Sequence, residues 1–233
     1  PAGRPNRRTH GGAVQAIGAG HSWNRPFFCA APSEAAPGLN VAVTSLLDPA
    51  ADLGEYIFVN ETEMSVVVHA GITQRTLLDY LASYGGGEGY ALPAHAWYID
   101  QTMGGAVATD THGSSLSRGS LSNARQLTDL WMMAANGTIL HLNDEISPHL
   151  MSAARVSVGR LGVILYAKFN IVPNEWTRRT TADVSERSMV DEVVAISRAY
   201  RETGELPLEE LDDVNFLWFP QSESAYRVSY APD

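Results

Sequence analysis

Cysteine is almost absent from this chain. One residue of 233, Cys29, leaves no pair for an internal disulfide and no thiolate set for a zinc or iron–sulfur site. Such usage fits a reducing compartment, so the location read is cytoplasmic, with a mitochondrial or membrane-associated setting as the alternative. Positive charge is short as well. There are 16 Lys and Arg against 26 Asp and Glu, a net charge of −10, so a nucleic-acid backbone would be repelled and nucleic acid is not expected as a partner. Most of the acid excess follows Asp183, away from the motifs below. No apolar run approaches the ~20 residues of a membrane-spanning helix. The opening PAGRPNRRTHGG lacks the apolar segment of a signal peptide. His69, His95, His141 and His149 show no pairing at helical ligand spacing, so no metal is expected. No internal repeat is visible.

What is present is an ordinary globular composition, 45% hydrophobic and 18% charged, in a length suited to one large domain or two small ones. Ala13–Ile17, Leu39–Leu46, Tyr56–Asn60 and Met64–Ala70 read as strands. Thr73 opens a helix with Leu77, Leu78 and Leu81 on one face, and Gly85 stops it. Tyr90–Ile99 reads as extended. Gln126–Ala134 and Thr138–Leu142 flank an Asn136-Gly137 turn and read as a hairpin. Pro148–Arg155 is a short helix, Val163 to Val172 a buried strand, and Met189–Thr203 an amphipathic helix. FLWFP (216–220) and YRVSY (226–230) read as short strands. Strands with a few interspersed helices give an α+β fold, with a boundary at Pro173.

Two stretches carry the chemistry. Gln101–Ser122, QTMGGAVATDTHGSSLSRGSLS, is almost all Gly, Ala, Ser and Thr around the single ring of His112. It cannot fill a core with its own side chains, so something large is expected to lie on its backbone, met by peptide N–H groups and hydroxyls. A dinucleotide with its pyrophosphate is such a ligand. The bland alternative, a Gly/Ser linker, sits badly with the Ala-Val-Ala beat and the apolar flanks. The second stretch is Gly18-Ala19-Gly20-His21-Ser22-Trp23, which follows a strand. A Gly-x-Gly turn there can cradle phosphate through its amides. Trp23 stands where a nicotinamide-type Rossmann fingerprint needs its third glycine, and Pro26, Pro32 and Pro37 break any following helix, so a different phosphate loop is favoured.

Taken together, the chain resembles the FAD-dependent oxidases related to vanillyl-alcohol oxidase (PCMH-type), in the sugar-lactone and alditol oxidase branch. GAGHSW resembles that family's pyrophosphate loop, VVVHAGITQRTLLDYLASYG its strand–helix unit, and GGAVATDTHGSSLSRGSLS its second FAD-binding stretch. AARVSVGRLGVILYAKFNIVP resembles its closing strand, and FLWFPQSESAYRVSY the first strands of its substrate domain. The resemblance covers most of the chain. It implies two small α/β subdomains holding FAD over residues 1–173, and the beginning of a substrate or cap domain over 174–233. It implies oxidation of a CH–OH group of a polyol or sugar lactone, with hydride passing to flavin N5 and then electrons to oxygen or another acceptor. The start of the first subdomain and most of the cap have no counterpart here. The chain therefore reads as a fragment, a processed product or one chain of two, with a second chain supplying the cap. A flavin-binding remnant without turnover, and a scaffold that has lost the cofactor, are the alternatives.

The resemblance also implies site residues. Gly18, Ala19, Gly20, His21, Ser22 and Trp23 would form the first FAD loop. Gln101, Thr102, Gly104, Gly105 and Ala106 would form the near part of the second, and Thr109, Thr111, His112, Gly113 and Ser114 the far part. The glycines would admit the cofactor and the hydroxyls of Ser22, Thr109, Thr111, Ser114 and Ser115 would donate to it. Gly162 and Val163 would line adenine or flavin by backbone. His21 is the candidate for a covalent bond to a flavin ring methyl; the alternative is a histidine that only hydrogen-bonds. Catalytic residues are expected in the cap and none is assigned. Cys29 is read as a small packed residue.

Overall fold

A computed structural model describes residues 13–23, 37–115, 117–205 and 214–232. Cys29 and the basic lead-in lie outside the described residues. The largest element is a five-stranded antiparallel sheet. Its strands are β3 (Ile57–Asn60), β4 (Ser65–His69), β6 (Leu127–Met133), β7 (Ile139–Asn143) and β8 (Val163–Asn170), in the order β3-β4-β8-β6-β7. Alternation decides the register. Val66 and Val68 on β4, Ala167 and Phe169 on β8, and Leu127, Leu130 and Met132 on β6 share one face and are buried. The other face carries Phe58, Tyr166, Lys168, Trp131 and His141, half-buried or exposed.

Three helices cover the buried face. α1 (Gln74–Ala82) begins at Thr73, whose side chain accepts from Thr76 N–H, and it buries Leu77 and Leu81. Its next free amides, Gln74 and Arg75, donate to the carbonyls of Gln101 and Ile99 at 2.8 and 2.7 Å. α2 (Met103–Ala108) corrects the reading of the glycine-rich stretch as loop throughout. Thr102 caps it by accepting from Gly105 N–H at 3.3 Å. A Cβ on Gly104 would stand 2.7 Å from that of Ala70, so only glycine lets α2 lie this close to the end of β4. Low helix propensity hid this element in the sequence, and close packing makes it. α3 (Pro148–Arg155) buries Met151 and Ala154.

Two smaller sheets flank this body. β1 (Val14–Ile17) pairs in parallel with β2 (Leu39–Ala42), after which Val43–Leu46 turns as a 3-10 helix instead of prolonging the strand. β5 (Tyr90–Ala91) pairs with β9 (Val172–Pro173), so Pro173 ends a pairing it takes part in. After it comes β10 (Thr177–Ser185), a strand absent from the sequence reading. Eight of its nine residues are exposed and TRRTTADVS has no apolar beat, so no burial pattern announces it. β10 pairs with β12 (Ser224–Pro232), which pairs with β11 (Val214–Phe219). α4 (Glu186–Thr203) packs on this sheet, capped by Ser185 and ended by Gly204 in the left-handed region. Arg227 Nε donates to both carboxylate oxygens of Glu192, at 2.9 and 3.0 Å, tying β12 to α4. Among the described residues, no helix is long and apolar enough to cross a membrane.

Candidate cofactor site

A cavity of about 470 Å³ lies where β1, α2 and the turn before β8 meet. That size suits a small molecule or nucleotide. The two stretches singled out in the sequence converge on it from 80 residues apart. Gly18, Ala19, Gly20, His21 and Ser22 form one wall, and Gln101, Thr102, Gly104, Gly105, Thr109 and Thr111 another. Gly162 and Ile164 close it from the start of β8. Trp23, Ala106, His112, Gly113, Ser114 and Val163 do not line it. Trp23 is 95% exposed, whereas Ala106 is fully buried in the core. Gly113 is needed for packing, since a Cβ there would stand 2.3 Å from the His95 carbonyl oxygen. Val163 begins β8, while His112 and Ser114 lie on the segment beyond Thr111.

The lining carries no Asp, Glu, Lys or Arg among the described residues. Its polar groups are peptide units, small hydroxyls, two glutamine amides and one imidazole. Thr111 Oγ1 donates to Gln101 Oε1 at 2.8 Å, and Thr109 Oγ1 donates to the Gly105 carbonyl at 2.9 Å. These bonds hold the wall's shape. Gly20 sits at φ +83° with nothing within 4 Å of where a Cβ would point. The wall there is a bare backbone turn beside open space.

His21 is steered from the facing loop. Its Nε2 lies 3.2 Å from the Asp100 carbonyl oxygen, and Tyr98 meets its ring edge-on at 4.6 Å. A carbonyl only accepts, so Nε2 is the donor in this contact, and in a neutral ring that leaves the lone pair on Nδ1. Asp100 is fixed in turn by Arg75, with bonds of 2.6 and 3.0 Å. The guanidinium beside it holds the Asp100 carboxyl below the usual carboxylate range.

Several lining residues escaped the sequence reading. Gln15, Val43, Val158 and Gly159 are the chief ones. Val158 adopts φ +45°, rare for a β-branched residue and a sign of local strain of roughly 1–3 kcal/mol. Its N–H donates to the Ala108 carbonyl at 3.0 Å, and its carbonyl accepts from Gln15 Nε2 at 3.2 Å. A polar residue inside the apolar strand AVQAI was the available signal for Gln15. Nothing local signalled Val158. Among the described residues, no three His, Cys, Asp or Glu side chains converge as a metal ion would need.

Comparison with known proteins bears on what fills the cavity. The model of a family described as FAD binding domain matches residues 8–143. L-gulonolactone oxidase of Bos taurus is 31% identical over 166 residues, 71% of this chain and 34% of the relative. D-arabinono-1,4-lactone oxidase of Eremothecium gossypii is 36% identical over 108 residues, 46% of this chain and 19% of the relative. The matched part of the chain thus spans about a third or less of the length of these curated relatives. The solved structure of FgChi7B superposes with a TM-score of 0.66 over 95% of this chain and 42% of that one, at 18% identity, which bears on the fold alone. The cavity fits FAD on its own features. It is uncharged, small residues line it, and a bare glycine turn opens on it at Gly20.

Proposed function

Because the chain belongs to the FAD-binding domain family, we propose that it is the cofactor-holding part of a flavin oxidoreductase that oxidises a CH–OH group of a sugar lactone or polyol. The observation that carries this reading is the convergence of the Gly18–Ser22 turn and the Gln101–Thr111 stretch on one uncharged cavity. FAD held there would accept the hydride of the substrate carbon at N5 and pass the electrons to oxygen or another acceptor. The protein's share is binding and orientation. The Gly18–Gly20 backbone would receive the pyrophosphate without a side chain between, and the absence of charged side chains leaves peptide dipoles as its partners. Residues 1–173 would form the cofactor domain, and 174–233 would begin the cap that meets the substrate. One cysteine supports placing the protein in a reducing compartment.

His21 is proposed as the residue that bonds the flavin covalently. The contact with the Asp100 carbonyl supports this, since a neutral ring donating from Nε2 carries on Nδ1 the lone pair such a bond needs. Denatured protein should then stay fluorescent on a gel, and His21→Ala should release its flavin. Wild-type flavin that comes free on denaturation would remove this part of the reading and leave the rest.

A second reading has its own support. The matched stretches cover 34% and 19% of the two relatives, and among the described residues no charged side chain reaches the cavity. Turnover would then require a cap supplied by further polypeptide, and this chain alone would bind flavin without oxidising anything. The experiment that decides is peroxide formation and dye reduction by the flavin-loaded protein with L-gulono-1,4-lactone, D-arabinono-1,4-lactone and a series of polyols. Turnover with any supports the first reading. A flavin spectrum without turnover, restored by added cap polypeptide, supports the second. Protein with no flavin, unable to take any up, would end both.

A further inference from the structure

Gln15 is 7% exposed and lies in the cavity wall, on the strand that leads into the glycine turn. Its amide is only half used. Nε2 donates to the Val158 carbonyl at 3.2 Å and grazes that of Ala16 at 3.5 Å. Oε1 accepts no hydrogen bond from any described residue, yet it is not among the sealed-off polar atoms of the protein. A residue more than nine-tenths buried thus keeps a free acceptor in the wall of a cavity built for a nucleotide. Buried amide oxygens are ordinarily satisfied, so this one calls for a donor on the ligand.

The strand's geometry says which part of the ligand. Residues in an extended strand advance about 3.3 Å each. His21, the proposed flavin-linking residue, stands six positions beyond Gln15, and the Gly18–Gly20 turn lies between them. With the flavin ring at His21 and the pyrophosphate at the turn, Gln15 falls at the far end, about 20 Å along the chain at most. That end of FAD is adenosine, whose exocyclic amine and ribose hydroxyls are donors. We infer that Gln15 recognises the adenosine half of the cofactor through Oε1, while its Nε2 holds the Val158 turn in place, so that this one side chain makes the site select FAD over FMN. The inference rests on the FAD reading given above.

The orientation of the amide is what the second bond fixes. The Val158 carbonyl can only accept, so it must face Nε2, and Oε1 is left turned from it. Gly159 permits the arrangement, because a Cβ there would stand 1.9 Å from Nε2.

The test is a fluorescence titration of flavin-free full-length protein carrying His21→Ala, so that no covalent bond masks affinity. FAD, FMN and the hypoxanthine analogue of FAD are the three probes. With Gln15 in place, FAD should bind more tightly than FMN. Gln15→Leu should weaken FAD about tenfold more than it weakens FMN, since the lost bond to Val158 touches both flavins and the lost Oε1 only FAD. If the exocyclic amine is the donor, the analogue already binds Gln15 protein more weakly than FAD does. If a ribose hydroxyl is the donor, FAD and the analogue weaken together. Gln15→Glu keeps an acceptor and loses the donor to Val158, so it should keep the preference for FAD over FMN. A Leu variant that weakens FAD and FMN by one common factor would show a structural role only and overturn the inference. An unchanged FAD affinity would do the same. Failure of the Gln15 protein to bind either flavin would overturn the FAD reading itself, and this inference with it.

Discussion

The five-stranded region and the three-stranded one are built to different standards. In the first, Val66, Leu77, Leu81, Met103, Leu127 and Phe169 are fully buried in one continuous core. In the second, burial rests on Met189, Ala225 and Val228, while Val190, Val193, Val194 and Tyr200 of α4 are each about half exposed. β10 shows both faces to solvent for nearly its whole length. The cofactor cavity sits against the dense region, where backbone positions can be held to fractions of an ångström. The sparse region carries aromatic surface, Trp218, Phe219 and Tyr226, on a sheet of three strands. Precision is placed where the cofactor lies, and the other region is left adaptable.

Core truncation should break this contrast most clearly. Phe169→Ala should cost about 3–5 kcal/mol and abolish flavin retention. Met189→Ala, in a site still 9% exposed, should cost about 2 kcal/mol at most and leave flavin content intact. Urea unfolding followed by flavin fluorescence and by far-ultraviolet dichroism measures both. Equal costs would mean that the two regions form one cooperative core.

Next in size is the glycine turn. Gly20→Ala forces a Cβ into the left-handed region at about 1–2 kcal/mol. That strain should appear in stability with or without flavin, and a further loss seen only in flavin affinity would report the turn's contact with the cofactor, because no packing is disturbed. A loss equal with and without flavin would mean that the turn matters only to the fold.

Acid sensitivity should be confined to the dense region. His69 is buried, with Nδ1 accepting from Gly71 N–H at 3.0 Å, and burial holds its pKa below the usual value. As pH falls below about 6.5, the unfolded chain takes up a proton that the folded site resists. Stability therefore declines on the acid side, by at most about 1.4 kcal/mol per pH unit for this group. His69→Gln should flatten that part of the profile. The same slope in wild type and variant would assign the acid loss elsewhere.

The smallest effect expected is at the surface of α4. Val193→Ser should change stability by less than about 0.5 kcal/mol in this chain. A larger loss would reveal packing on that face.

Much of the fold was legible where side chains announce burial. The hairpin at Asn136-Gly137, the helix capped by Thr73 and the helix opened by Pro148 each carry a local signal, and each stands where that signal placed it. β10 and α2 escaped for opposite reasons. β10 has no apolar beat to read, and α2 is made of glycines whose helicity comes from contact with Ala70. The site shows the same division. Glycine and hydroxyl richness marked both loops, and they do converge. Gln15 and Val158 owe their places to a bond across 143 residues, which no local pattern encodes. His112, Gly113 and Ser114 share the composition of the lining but lie past the point where the chain leaves the cavity.

The strand order β3-β4-β8-β6-β7 has a consequence in time. β8 sits at the centre of the sheet yet is the last of the five to leave the ribosome, pairing Asn170 with Ser65 and Phe169 with Leu127. Until it arrives, the β3–β4 and β6–β7 hairpins wait as separate pairs, and β4 and β6 each present an open, apolar edge. Closing that gap joins residues about a hundred positions apart, which makes the sheet slow to form. A nascent or truncated chain ending before Val163 would expose both edges at once, and its hazard is pairing with another unfinished copy before its own middle strand can take the place.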